Sequence, residues 1–248
     1  MNSKFRNFLG VGALFVMALG IPITIIILTN QTFDYKINAF LNDNPKSVKV
    51  LDIRGNFAKI VWITEKEVTG IVRIGNSDTL YKDKDSTSFH VIQVGNLTPN
   101  QKYTFSIFSD GNEYKSNDYV INTVSVAEGS EDPFVIYGQI FDKDGVSLQK
   151  NGLVLLTLSS SGSLSQELPA TINNAGGFTI DLANILNSTG DQKFNYKKSL
   201  EISLKIYSDV TGIALEKKFT INFSIQRQIP NIYLGDVNID IMPGINGD

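Results

Sequence analysis

The chain has 248 residues, with 25 acidic against 22 basic side chains, a formal net charge of −3, no cysteine and a single histidine. That composition excludes disulfides and thiolate metal sites. No Lys/Arg cluster lies outside the N-terminal flank, so the basic stripe that nucleic-acid binding needs is missing.

Residues 8–29, FLGVGALFVMALGIPITIIILT, form one apolar run without charge. As a helix it would reach roughly 33 Å, enough to cross a hydrocarbon core of about 30 Å. Lys4 and Arg6 precede it and the next basic residue is Lys36, so residues 1–7 are expected in the cytoplasm and the bulk outside. The expected localisation is therefore the cell membrane, single-pass. Cleavage near Gly20 is the competing reading, since Ala18 and Gly20 offer small residues at signal-peptidase spacing. Against it, residues 21–29 stay apolar. Pro22 is tolerated within such a span, often with a kink. Residues 30–46 place Phe33, Ile37, Phe40 and Leu41 on one helical face, and read as a juxtamembrane linker or a short helix. The absence of disulfides accords with a bacterial or archaeal exported protein.

From residue 47 to 126 the pattern changes to period two. Val48 and Val50 alternate with lysine, and Ala58, Ile60 and Trp62 alternate with Lys59, Val61 and Ile63. Further short strands are expected at Val72–Ile74, Ile92–Val94, Tyr103–Ile107 and Tyr119–Ile121, separated by turns such as 54–56 and 109–112. Trp62 suits the space between two sheets. Tyr103, just after Leu97-Thr98-Pro99, suits a tyrosine corner, with its phenol returning to the preceding connection. On AKIVWIT (58–64), GIVRIGN (70–76), HVIQVGNLTPNQKYTFSI (90–107) and YVINT (119–123), this half resembles the fibronectin type III family. The variant looks most like the domain that precedes purple acid phosphatase catalytic domains. The resemblance implies a sandwich and no activity.

Residues 127–133 read as a linker and 134–241 as a second β-domain, followed by a tail, 242–248. Strands are expected at 134–141, 153–158, 178–180, 200–206 and 218–225, with a turn at Asp142–Gly145 in which Gly145 takes positive φ. Leu153 and Leu155 are apolar as well as Val154, Leu156 and Leu158, so that strand reads as buried on both faces. Asp181 suits the cap of a helical turn over 182–187. On GQIFDKDG (138–145), NGLVLLTL (151–158) and ATINNAGGFTIDL (170–182), this half resembles the carboxypeptidase regulatory-like, or transthyretin-like, sandwich. Leu148–Asn151 and the doubled Gly176-Gly177 depart from that family's pattern. The resemblance implies an accessory, non-catalytic module of seven strands. Together the two halves resemble membrane-anchored bacterial surface proteins.

Residues suited to chemistry are few. His90 would have to be the base of any Ser-His-Asp hydrolase, but it is in phase with Ile92 and Val94 and no Gly-x-Ser-x-Gly elbow is present. Asp142 and Asp144 offer two oxygens to Ca²⁺, but Lys150–Leu153 lacks the glutamate that would close an EF-hand loop, so a hairpin turn is preferred. Asp236, Asp240 and Asp248 among the tail glycines leave calcium open, beside a last strand or a loose end. Phe108, Tyr114 and Tyr137 are weighed as outward aromatics for stacking sugars or partners, against edge packing. The chain thus reads as all-β: two tandem antiparallel sandwiches after one N-terminal transmembrane helix. No catalytic, cofactor-binding or metal residue is assigned, and the chain is not expected to be an enzyme. The expected role is a structural, assembly or adhesion module tethered through residues 8–29. Its partner would be a protein or a surface glycan; an accessory subunit of a membrane secretion or enzyme complex is the remaining alternative.

Overall fold

The computed structural model describes residues 42–125, 132–196, 199–210 and 215–235. The apolar run 8–29, the segment 30–41, most of the expected linker and the tail therefore lie outside the described residues. The strands among the described residues all belong to the unit Asp43–Asp248.

All regular structure among the described residues is β. Eight strands come first: β1 (Lys46–Leu51), β2 (Ala58–Val68), β3 (Ile71–Ile74), β4 (Leu80–Lys82), β5 (Thr87–Val94), β6 (Lys102–Ser109), β7 (Asn112–Tyr114) and β8 (Val120–Asn122). They make two antiparallel sheets, β1-β2-β5 and β4-β3-β6-β7, with β8 also on β6. The two sheets pack face to face as a β-sandwich. Alternation puts Ala58, Ile60, Trp62, Ile92 and Val94 of the first sheet against Val72, Phe105 and Ile107 of the second. Trp62 is fully buried there. The tyrosine corner forms as expected: the Thr98 N–H donates to the Tyr103 phenol oxygen at 2.8 Å. Hydrogen bonds from Thr98, its side chain first and then its backbone, hold that phenol below its ordinary pKa.

Eight more strands follow: β9 (Val135–Phe141), β10 (Leu153–Ser160), β11 (Ser163–Leu164), β12 (Leu168–Thr171), β13 (Gly177–Asp181), β14 (Ser199–Tyr207), β15 (Leu215–Asn222) and β16 (Ile232–Tyr233). One sheet runs β11-β10-β14-β15 with β12 on β10, and the other runs β13-β9-β16. Their facing sides close a larger aliphatic core around Ile136, Ile140, Val154, Leu156, Phe178 and Ile202. Two features depart from a seven-stranded antiparallel expectation. The described residues of this half form eight strands, and β16 pairs with β9 in parallel, through Ile232↔Ile140 and Tyr233↔Phe141.

Two local expectations are corrected. Residues 182–187 are a turn and not helical: Asp181 caps it by accepting the Ala183 N–H at 2.9 Å, but it also accepts the Phe134 N–H at 2.9 Å. Asn184, with φ +57°, then breaks any helical run. The strand expected at 218–225 is β15, which ends at Asn222. There the Asn222 side chain accepts the Ser224 N–H, and its backbone carbonyl accepts from Ile225 and Gln226, turning the chain.

Candidate functional site at the junction of the two sandwiches

The apolar residues left over from each core meet one another. Val61 and Ile63 of β2 and Phe89 of β5 point away from the Trp62 core, and Leu153 and Leu155 of β10 point away from theirs. These five form a buried cluster of their own, flanked by Leu51, Val91, Tyr207 and Val210. Each is at most 5% exposed, and burying such a side chain stabilises by about 1.5–3 kcal/mol. The double apolar pattern in β10 therefore has its explanation in a second sheet packed on its outer face.

Polar contacts frame this seam. Asp52 accepts from Arg54 Nε at 2.7 Å and pairs with Lys59 at 2.9 Å. Arg54 then reaches across to the carbonyls of Ala183, at 3.3 Å, and Asn184. The Thr87 hydroxyl donates to Asn151 Oδ1 at 3.0 Å, and Glu167 joins Lys49 at 3.6 Å and Lys205 at 3.5 Å.

Beside the seam lies a cleft of about 660 Å³ with walls from both sandwiches. One wall is Tyr81–Thr87, the other Asn151 and Thr171–Asn174, and Phe89, Val91 and Gln93 of β5 run along its floor. Its volume falls in the usual range of ligand sites, roughly 300–1,000 Å³, and junctions between domains are a common place for them.

His90 sits behind this cleft, fully buried. Its Nδ1–H donates to Asp83 Oδ2 at 2.6 Å, and the same oxygen accepts the Gly70 N–H at 2.9 Å. Its Nε2 lies 3.0 Å from the Thr64 hydroxyl, which donates to the Lys66 carbonyl at 2.7 Å. The imidazole stacks on Trp62 with ring centroids 4.4 Å apart. Gly70 makes room for this cluster, since a Cβ there would come within 2.3 Å of Trp62 and 2.7 Å of both Asp83 and His90. An Asp–His–Thr sequence of contacts looks like a hydrolase relay, but with the histidine sealed from solvent it serves the core. Nothing in the spacing of Thr64, Gly70 and Asp83 announced this cluster; cross-strand register assembled it.

The remaining sequence candidates scatter. In the Asp142–Gly145 turn, Asp144 accepts the backbone N–H groups of Val146, at 2.9 Å, and Ser147, at 2.8 Å, and also the Ser147 hydroxyl. These bonds, the hydroxyl first, hold its carboxyl below the usual aspartate value. Gly145 has φ +69°, as the turn requires. Phe108 is half-buried under the Arg73 guanidinium, 5.0 Å from the ring centre. Tyr114 packs on the first core and donates to Asp43 at 3.1 Å. Both follow the edge-packing alternative. Tyr137 alone of the three is exposed, at 46%. Asp236, Asp240 and Asp248 lie outside the described residues.

No protein-family model matches the chain, and no curated protein matches it. Among solved structures, the chain is similar to the central fibronectin-III array of RIM-binding protein at 14% identity and TM-score 0.27, covering 74% of this chain and 64% of that one. It is similar to the chicken CNTN1 FN1–FN3 domains at 12% identity and TM-score 0.24, covering 72% and 65%. The chain thus spans under two thirds of the length of either array. The sandwich assignment rests on the strand order above.

Proposed function

We propose that this protein is a non-catalytic, membrane-tethered assembly module whose two sandwiches act as one rigid body on the exported side. The seam carries this reading. Isolated sandwiches joined by a linker would turn freely, whereas burial of Leu153 and Leu155 against Val61, Ile63 and Phe89 holds one angle between them. A fixed angle suits a protein that presents a surface at a set orientation from a membrane. The apolar run 8–29 with Lys4 and Arg6 ahead of it supports the tether and its direction. The burial of His90 supports a structural role for that residue. The resemblance to exported surface modules supports a bacterial envelope setting.

The chain has no cysteine, which makes a direct test available. Lys115→Cys, on an exposed side chain, should react with a membrane-impermeant maleimide on intact cells, while Ser3→Cys should react only after permeabilisation. The protein should also stay with the membrane pellet after alkaline extraction. Recovery of a soluble product starting at Ile21, or protection of the Lys115→Cys thiol in intact cells, would overturn the tether.

A further inference from the structure

The second sheet of the first sandwich carries, on the face turned away from the Trp62 core, a cleft of about 610 Å³ that shares no residue with the one beside the seam. Strand register explains its lining. Phe105 and Ile107 of β6 point into the core, so Thr104 and Ser106 face out. Ser106 pairs with Arg73 of β3. On the other side Ile107 pairs with Tyr114 of β7, which packs on the core, so Lys115 comes to the same outer face as Ser106. Asn76 beyond β3 and Asn117 beyond β7, both exposed, complete the walls.

Charge in this cleft is one-sided. Arg73 and Lys115 line it, and no Asp or Glu does. One carboxylate sits beside it: Glu113 accepts from Arg73 and pairs with Lys115 at 3.0 Å. Lys115 first, then Ser106 and Arg73, hold that carboxyl below its ordinary value, so it is charged at neutral pH. Two cations thus share one anion, and one positive charge is left over. The Arg73 guanidinium lies 5.0 Å from the Phe108 ring centre, a stacking contact that fixes its plane. Among the described residues, Ser106 Oγ and Arg73 Nε are both buried without a hydrogen-bond partner in good geometry, and Ser106 as a whole is only 3% exposed. Buried donors are rarely left unpaired, because each costs the desolvation of the group. Two of them on cross-strand partners, beside a cationic cleft, point to an acceptor supplied from outside.

We propose that this cleft binds a sugar acid, whose carboxylate accepts hydrogen bonds from Arg73 Nε, the Ser106 hydroxyl and Lys115. One negative charge matches the one positive charge left over, whereas a phosphate dianion would overshoot it. Water would satisfy the two donors but not the charge. The Thr104 hydroxyl and the amides of Asn76 and Asn117 each donate and accept, as the hydroxyl groups of a sugar ring require. The inference goes beyond the assembly reading and does not depend on the tether; it gives the first sandwich a ligand of its own, a uronate residue of an acidic polysaccharide.

The test uses the purified full chain in detergent and a tetramer of galacturonic acid, with the methyl-esterified tetramer as the neutral control. Calorimetry should give a Kd of about 1 mM or tighter for the acid, and at least about tenfold weaker binding for the ester, since a hydrogen bond to a charged group is worth about that factor or more. Lys115→Gln, on an exposed side chain, should weaken binding of the acid and bring acid and ester closer together. Ser106→Ala should weaken it too, while the urea midpoint read by Trp62 fluorescence stays level or rises, because the hydroxyl removed has no partner in the free chain. No binding of the acid, or equal binding of acid and ester, overturns the proposal. Displacement of the acid by an equal concentration of inorganic sulfate or phosphate, at constant ionic strength, also overturns it by reducing the cleft to a general anion site. So does a Ser106→Ala midpoint that falls while binding is unchanged, which would make the serine structural. The tether and the seam are read by maleimide labelling and by unfolding, so failure here is distinguishable from failure of the assembly reading.

Discussion

The two sandwiches solve the same packing problem with different materials. The second fills its interior almost wholly with aliphatic and aromatic side chains drawn from both sheets. The first has a smaller core and places a polar cluster, Thr64, Asp83 and His90, against its single tryptophan. Apolar burial is non-directional and tolerates some repacking, whereas a buried polar cluster holds only if every donor and acceptor keeps its partner. The first sandwich should therefore be the more sensitive to single changes, and the seam to the second sandwich should be part of what supports it.

The strongest way to break this comparison is at the seam itself. Leu155→Lys would put an unpaired charge between the sheets and should cost about 3–5 kcal/mol. Trp62 reports the first sandwich by fluorescence and far-ultraviolet dichroism reports both. In the parent the two urea transitions should coincide; in the variant the fluorescence transition should come first. An unshifted fluorescence midpoint in the variant would mean that the seam does not set stability.

Next in size is Gly70→Ala. The added methyl group meets Trp62, Asp83 and His90 together, and such overpacking should cost about 1–3 kcal/mol in the fluorescence transition. An unchanged midpoint would show that the cluster relaxes easily. Tyr103→Phe should cost less, about 0.5–1.5 kcal/mol, by removing the acceptor of the Thr98 N–H. A loss well above 2 kcal/mol would give the corner a larger role than one hydrogen bond.

The smallest effect belongs to the second sandwich. Asp144 is held below the ordinary aspartate value of 3.8, mainly by the Ser147 hydroxyl. A carboxyl depressed in the folded state stabilises above its unfolded value, and that contribution is lost as pH falls through the folded one. Ser147→Ala should therefore flatten the acid limb of stability slightly below about pH 4, with no change at pH 7 in the slope against pH. A parallel acid limb in both proteins would show that Asp144 contributes nothing measurable there.

Much of this architecture was legible in residue pattern. Period-two alternation in 58–63 and 200–206, the Leu97–Tyr103 corner and the Asp142–Gly145 turn each depend on interactions within a few residues or on a repeated face, and each formed as expected. The doubled apolar face of 153–156 was legible too, although not what would cover it. The helical turn at 182–187 was misread because Asp181 capping looks the same locally whether or not a helix follows. The parallel pairing of β16, the meeting of Asp83, His90 and Thr64 and the joining of the two sandwiches were decided only in three dimensions. Each depends on which strand lies beside which, and strand order is set by long-range packing between residues far apart in the chain. Local sequence determined where strands form and which face of each is apolar; tertiary structure decided which apolar faces meet, because that depends on strand order set by long-range packing.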